Sequence, residues 1–192
     1  MSAPGPTLFL AVRAPASVGA RLAPLLQSLG ALHPALRAVD PGGPHLTLRF
    51  LGHCPEEQLR LAERRAQEVA KRFQPFAVEL GAWGCFPERG QPRVVWLGPA
   101  RGREELGRLA QGLALEGERS TPFRPHLTLA RLRGLLPGPE RLRLQDLVQA
   151  WLSEVPPVHF RATALCLMES QTQAGGSNRY LTRRHWPLLG DG

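Results

Sequence analysis

The five residues Pro44-His45-Leu46-Thr47-Leu48 occur a second time as Pro125-His126-Leu127-Thr128-Leu129. The chain has 192 residues and six histidines, and two of these histidines lie in this repeated phrase. They are 81 positions apart, which is about half of the chain. An internal duplication is the simplest origin of such a repeat, because two copies of one unit carry the same phrase at equivalent positions.

Each copy of the phrase has the pattern of a β-strand. Side chains alternate between the two faces of a strand, so His45 and Thr47 are expected on one face and Leu46 and Leu48 on the other. The leucines anchor the strand to a core, and the second copy repeats the arrangement. A single strand histidine is most often an ordinary structural side chain. Packing explains the repeated leucines but not the repeated polar residues, so the pattern favours a functional site.

The hydrophobic pattern predicts the same order of elements in both halves: strand, helix, HLTL strand, helix, strand. The predicted strands are residues 8–12, 45–51, 76–80, 94–97, 126–130, 159–168 and 180–182, and the predicted helices are residues 17–29, 56–72, 104–115 and 140–152. Turns are predicted at 81–92 and at the Gly-rich residues 174–177.

This order predicts an α+β fold with two pseudo-symmetric lobes. Each lobe is expected to be a largely antiparallel sheet with outer helices, and the lobes enclose a central cleft. Residues 1–192 form one domain in this interpretation, with repeats at about 7–80 and 93–170. Because both half-sites come from one chain, a monomer suffices.

The composition indicates a globular, basic protein. Hydrophobic residues make up 43% of the chain, which is enough for a buried interior. The net charge is +8, and Lys71 is the only lysine, so nearly all positive charge is arginine. Guanidinium groups suit phosphate, and nucleic acid is the expected partner. The sequence contains no apolar run long enough for a membrane span and no basic leader, which predicts a cytoplasmic protein.

Several kinds of catalytic site are not predicted. Cys54, Cys85 and Cys166 are widely spaced, so neither a disulfide framework nor a zinc site is expected. There is no G-x-S-x-G nucleophile motif and no G-x-x-x-x-G-K phosphate loop. We therefore expect no metal and no cofactor.

General acid–base catalysis needs only two imidazoles, one neutral and one protonated, on opposite sides of a reacting centre. This suits in-line displacement at phosphorus: one histidine takes a proton from the incoming oxygen and the other protonates the leaving oxygen. The hydroxyls of Thr47 and Thr128 would hold the phosphoryl oxygens.

The paired His-x-Thr-x motif resembles the two-histidine phosphoesterase superfamily. Within it, the chain is most similar to the bacterial and archaeal RNA 2′,3′-cyclic phosphodiesterases, also called 2′-5′ RNA ligases. Matching stretches run through nearly the whole chain: LFLAVRAP, HLTLRFLG, GCFP followed by VVWLG, FRPHLTLAR and LMESQTQAGGSNRYLT.

The resemblance implies opening of a 2′,3′-cyclic phosphate to a 2′-phosphate without metal or ATP, with His45 and His126 as the catalytic pair. RNA termini or cyclic nucleotides are the implied substrates, and weak reversible 2′-5′ joining of RNA ends is also implied. The alternative is a non-catalytic RNA- or nucleotide-binding module on the same fold. The intact His and Thr of both copies favour the enzyme.

Further residues are candidates for substrate contacts. Arg131 follows the second motif as His-x-Thr-x-x-Arg, a pattern shared with the family, and could bind phosphate only if the strand bulges or ends before it. Arg49 would share the catalytic face of a regular strand, although a salt bridge at the cleft edge explains it equally well. Candidates for stacking on a base are the aromatic residues Phe9, Phe50, Trp96 and Tyr180.

Charge near the histidines also predicts which is the base. Arg124 and Arg131 flank His126 in sequence, and positive charge disfavours an imidazolium. On this reasoning His126 is the neutral base and His45 the acid.

Overall fold

The computed structural model describes residues 6–115, 122–173 and 178–190, so the turn predicted at 174–177 lies outside the described residues. Within them, the strands are β1 (Thr7–Arg13), β2 (Leu36–Ala38), β3 (His45–Gly52), β4 (Phe76–Phe86), β5 (Val94–Arg101), β6 (Leu127–Leu132), β7 (Val158–Ala162), β8 (Ala164–Thr172) and β9 (Asn178–Pro187). The helices are α1 (Ala16–Leu32), α2 (Glu56–Lys71), α3 (Arg103–Gly112) and α4 (Gly138–Glu154).

The α+β class is confirmed, and the strands form one continuous antiparallel sheet. Their order is β7-β4-β5-β6-β3-β1-β8-β9, with β2 paired to β6. Four strands therefore lie on each side of the centre, and the two HLTL strands, β6 and β3, meet there. The halves are joined by the pairing of Leu46 with Leu127.

The sheet is strongly curled. Strands β7 and β8 are separated along the chain by Thr163 alone, yet they occupy the first and seventh places in the sheet. A one-residue link can span these places only if the two ends of the sheet curve toward each other, as in a half-barrel. The sequence prediction of one strand over 159–168 is therefore wrong, because its two parts pair with different strands, β4 and β1.

The turn predicted over 81–92 begins too early. Residues up to Phe86 belong to β4, although the glycines of this stretch are unfavourable in strands. The reason lies on the neighbouring strand, where Trp96 pairs with Gly84. A Cβ atom at Gly84 would lie 2.5 Å from the indole of Trp96, so glycine leaves the space that this ring needs.

The two faces of the sheet differ in what covers them. All four helices contribute to one large hydrophobic core on the outer face, where Leu46, Leu48, Leu127 and Leu129 are buried. A small second cluster, containing Phe9 and Met168, lies on the inner face. Slipping the register of either HLTL strand by one residue would turn its histidine into the large core. Burial of the leucines thus directs the histidines to the inner face.

Candidate active site

The two repeated motifs are direct neighbours at the centre of the sheet. Leu46 pairs with Leu127 in antiparallel register. The flanking residues of such a pair lie beside each other, so His45 is next to Thr128 and Thr47 is next to His126. All four side chains are partly exposed on the inner face. The register thus brings two imidazoles and two hydroxyls together in a pseudo-symmetric arrangement.

Each histidine is held by a backbone carbonyl two residues before it. The Nδ1 atom of His45 lies 2.8 Å from the carbonyl oxygen of Gly43, and Nδ1 of His126 lies 2.7 Å from that of Arg124. A carbonyl oxygen only accepts, so the proton is on Nδ1 in both rings. This leaves Nε2, on the other side of each ring, to accept or donate the proton that the reaction requires.

Aromatic rings fix the orientation of both imidazoles. The ring centre of His45 lies 5.0 Å from that of Phe9 and 4.5 Å from that of Tyr180. On the other side of the site, the ring centre of His126 lies 5.0 Å from that of Phe86 and 6.4 Å from that of Trp96. Each histidine therefore has two aromatic neighbours, which restrict the movement of its ring.

The environment of His45 strongly favours its neutral form. Burial lowers the pKa of His45 from its ordinary value of 6.5 to about 4, with further lowering by the positive charges of Arg131, His126 and Arg13. The hydrogen bond to the Gly43 carbonyl opposes this shift. The effect of His126 agrees with the register, in which the pairing of Leu46 with Leu127 makes the two histidines diagonal neighbours.

The shift at His126 has fewer causes. Its pKa is lowered by burial first and by the charge of Arg131 second, while the hydrogen bond to the carbonyl of Arg124 raises it. The guanidinium of Arg124 forms an ion pair with Glu88. Its charge is thus balanced by a carboxylate that sequence spacing did not indicate. The charge of Arg124 is not among the causes that lower the pKa of His126.

A bulge in β6 turns Arg131 toward the site. Strand β5 pairs with Ala130 and then with Thr128, so the register skips Leu129. Leu129 and Ala130 are both buried and Arg131 is exposed, which reverses the alternation after the motif. The charge of Arg131 lowers the pKa of both motif histidines, so this guanidinium lies near each of them.

The equivalent bulge in β3 changes the position of Arg49. Strand β1 pairs with Arg49 and then with Thr47, so the register skips Leu48. Because β3 has this bulge, Arg49 does not follow the alternation that would place it on the same face as Thr47. Arg49 is half-buried, and burial lowers its pKa. The next residue, Phe50, occupies the place that Arg131 has in β6, 81 positions later.

A cavity of about 940 Å³ opens on the His126 side of the site. It lies between the end of β3, helix α3 and the segment that precedes β6, and both His126 and Thr47 line it. Arg49 also lines this cavity, so its side chain borders the site despite the bulge. Three aromatic residues contribute to the wall: Phe50, Phe86 and Phe123. The cavity is thus lined by aromatic and cationic side chains, which are the kinds of group that proteins use to bind nucleotides.

The four aromatic candidates differ in their accessibility. Phe9 is only 3% exposed and packs under His45, so it supports the imidazole and has no free face for a base. Trp96 lies over Gly84, and Tyr180 contacts His45 and Phe9, so both are half-buried supports. Phe50 is 68% exposed and borders the cavity. It therefore has the most accessible ring.

Sequence reasoning did not identify three residues that shape the site. Phe86 contacts both His126 and Trp96, Glu88 pairs with Arg124, and Arg13 acts on His45. All three lie on strands or turns remote in sequence from the motif that they serve. The register of an antiparallel pair was the only signal that could have placed Arg13 opposite His45.

In the described parts of the chain, no group of three or more His, Cys, Asp or Glu residues is arranged to hold a metal ion. None of the helices described here has the length and apolarity needed to cross a membrane.

A curled antiparallel sheet, with helices outside and a His-x-Thr-x motif on each of its two central strands, is the arrangement expected from the resemblance to the two-histidine phosphoesterases. The chain belongs to the 2′-5′ RNA ligase superfamily, which its residues 6–174 match.

Similar proteins with curated names are RNA 2′,3′-cyclic phosphodiesterases. The Archaeoglobus fulgidus protein of that name is 36% identical over 152 residues, which cover 77% of this chain and 81% of the relative. The Aeropyrum pernix protein of that name is 34% identical over 131 residues, covering 65% and 73%.

Solved structures share the fold over nearly the full chain. The protein TT0787 of Thermus thermophilus superposes with a TM-score of 0.72 at 30% identity, and the match covers 97% of this chain and 100% of the other. E. coli LigT complexed with 3′-AMP gives a TM-score of 0.66 at 26% identity, with 95% and 98% covered.

Proposed function

We propose that the protein is an RNA 2′,3′-cyclic phosphodiesterase, which opens the cyclic phosphate at an RNA 3′ end and leaves a 2′-phosphate. The observation that carries this proposal is the pair of imidazoles at the centre of the sheet, each with Nδ1 bound to a carbonyl and Nε2 left for proton transfer. The names of the relatives and the binding of 3′-AMP by LigT support it.

In the proposed reaction, water attacks phosphorus in line with the bond to the 3′-oxygen. One imidazole accepts the proton of the water through Nε2, the P–O3′ bond breaks, and the other imidazole donates a proton to the 3′-oxygen. The hydroxyls of Thr47 and Thr128 and the guanidinium of Arg131 stabilise the charge that builds on the phosphoryl oxygens. A 5′-hydroxyl that replaces water as the attacking group would give weak 2′-5′ ligation by the same steps.

We assign His45 as the base and His126 as the acid, which reverses the sequence-based assignment. The base must be neutral, and the pKa of His45 is lowered to about 4 by burial and three positive charges. The charge of Arg124 was expected to oppose protonation of His126, but Arg124 is paired with Glu88 and is not among the charges that lower the pKa of His126. An anionic phosphate between the rings raises both pKa values, and His126, with fewer opposing charges, is protonated more readily.

The cavity supports the same assignment. It adjoins His126 and Thr47, whereas the far side of His45 is closed by Phe9 and Tyr180. The terminal nucleoside is larger than water, so we place its ribose and base in the cavity. The leaving 3′-oxygen belongs to that ribose and is then nearest His126. The exposed ring of Phe50 is our candidate for stacking on the base. The cytoplasmic location and the monomeric state stay predictions.

The decisive assay for this function uses a 2′,3′-cyclic nucleotide in excess chelator and without nucleoside triphosphate. We expect turnover to a 2′-phosphate at the rate seen without chelator, because two imidazoles supply the acid–base chemistry. Phosphorus NMR identifies the product. The H45A/H126A double variant, purified in the same way, controls for contaminating nucleases. Binding without turnover would instead support the non-catalytic module, and a rate restored only by a specific metal would contradict the mechanism.

The pH dependence of the free enzyme follows from the two pKa shifts. The value of kcat/KM should rise as His45 loses its proton near pH 4 and fall as His126 loses its proton below pH 6.5, giving a maximum on the acidic side of neutrality. The profile of kcat should lie at higher pH, since bound phosphate favours both imidazolium forms. Initial rates from about pH 3.5 to 9 measure both profiles. A kcat/KM that stays constant from about pH 4 to 8 would contradict a mechanism that needs one neutral and one protonated imidazole.

A further inference from the structure

The two halves of the site are equivalent in register but not in charge. Strand β1 places Arg13 opposite His45. In the other half, Leu97 of β5 pairs with Leu127, so the next residue, Gly98, is opposite His126. One histidine therefore has an arginine beside it on the neighbouring strand, and the other has a glycine.

Arg13 connects two segments that surround His45. Its Nη1 atom donates to the hydroxyl of Thr182 on β9 at 3.2 Å, and its Nη2 atom donates to the carbonyl of Gly42 at 3.3 Å. Gly42 is in the turn before β3, where its own N–H donates to a carboxylate oxygen of Asp40 at 2.8 Å. One guanidinium thus joins β1, this turn and the last strand of the sheet.

The same two segments supply two of the supports of His45, in addition to Phe9 on β1. The carbonyl of Gly43, next to Gly42, accepts the Nδ1 proton, and Tyr180, two residues before Thr182, packs against the imidazole. Gly43 and Tyr180 also touch: a Cβ atom at position 43 would lie 3.3 Å from the Cβ of Tyr180. Movement of β9 away from the turn would therefore disturb both supports together.

We infer that Arg13 is a positioning residue for His45, which holds the turn and β9 closed around this imidazole and gives only this half of the site an added positive charge. The inference rests on the proposed function in that it assigns Arg13 to the base side of the reaction. It explains how a pseudo-symmetric pair of motifs divides into two unlike proton carriers.

The electrostatics agree with this geometry. Arg13 is among the charges that lower the pKa of His45 and is not among those that act on His126. Arg131 and His126 act on His45 from the β6 side, and Tyr180 packs against it from β9. Asp40 accepts from the N–H of Gly42 in the turn, and Arg13 also acts on the Cys166 thiol of β8, whose pKa burial raises.

The test compares two variants of Arg13. R13M removes the charge and both hydrogen bonds, whereas R13K keeps the charge but lacks the two guanidinium nitrogens that bond to Thr182 and Gly42. The matched control is R21M, because Arg21 on α1 also donates to a backbone carbonyl, that of Pro156 at 2.6 Å, away from the site. For each variant, NMR follows the titration of the His45 and His126 ring protons, and initial rates give kcat/KM against pH.

We expect R13M to raise the titration midpoint of His45, and the acidic limb of kcat/KM, by on the order of half a pH unit. The midpoint of His126 should stay in place. R13K should keep the His45 midpoint near that of the wild type while lowering kcat/KM, because the hydrogen bonds that join the turn to β9 through Arg13 are lost. R21M should match the wild type in both measurements.

An R13M protein whose His45 titrates as in the wild type, or whose two histidines shift equally, would overturn the inference. The NMR titration needs no turnover, so it decides the role of Arg13 even if the cyclic nucleotide is not hydrolysed. Absence of hydrolysis by the wild type would contradict only the proposed function. Circular dichroism of each variant, and the retained charge in R13K, separate a local effect from loss of the fold.

Discussion

Replacing either His45 or His126 by alanine is expected to lower kcat/KM for a 2′,3′-cyclic nucleotide by about 10²–10⁴-fold. Each side of the displacement needs its own proton carrier, and Nε2 of one ring cannot reach both the attacking and the leaving oxygen. Steady-state rates at the optimum of each variant measure the effect. The double variant should lose little more activity than the worse single variant, because the effects on the rate of substituting residues that act as a unit are not additive.

Valine at Thr47 or Thr128 is the matched comparison, because it keeps the branched shape and removes the hydroxyl. These variants should lose less activity than the histidine variants, since each removes one of several groups that stabilise the phosphoryl oxygens. Thermal unfolding checks that all proteins are folded. A histidine variant that keeps most of the wild-type rate would exclude a mechanism with two imidazoles.

A cyclic substrate with sulfur in place of the 3′-oxygen is expected to rescue the H126A variant by on the order of 10²-fold relative to the oxygen substrate, up to the size of a general-acid contribution. A thiolate leaves without a proton because the pKa of a thiol, about 8.5, is far below that of an alcohol. The H45A variant still lacks the base and should gain little. Single-turnover rates of both variants with both substrates measure the difference.

The wild type with the sulfur substrate is the control for any change in binding or intrinsic reactivity. Rescue of H45A without rescue of H126A would reverse the assignment of base and acid and would place the ribose on the His45 side. Equal rescue of both variants would show that neither histidine acts on the leaving group alone. The cavity beside His126 is the structural reason for expecting the first outcome.

The sequence by itself determined the class of the fold and the four central residues. Alternation along a strand is a local property, so the repeated phrase was sufficient to separate His45 and Thr47 from the leucines beside them. The duplication also predicted that the two copies would meet. In the structure, Leu46 and Leu127 are paired at the centre of the sheet, with the leucines buried and the polar residues on the inner face.

Only the tertiary structure decided how the surroundings of these residues are arranged. The bulges at Leu48 and Leu129 exist only in relation to a partner strand. They place Phe50 and Arg131 on the face of the motif residues, whereas Arg49 leaves that alternation and borders the site from the wall of the cavity. A register shift of this kind has no local signature, because each strand alone has an ordinary alternating pattern.

Charge in the site was likewise decided by contacts between distant segments. Arg124 lies two residues before His126 in the chain, yet its charge is paired with the carboxylate of Glu88, in the connection between β4 and β5. Arg13 lies far before His45 in the chain and acts on it directly, because antiparallel pairing makes the two residues neighbours. The effect of a charge depends on distance in space and on its counter-ions, and sequence separation reports neither of them.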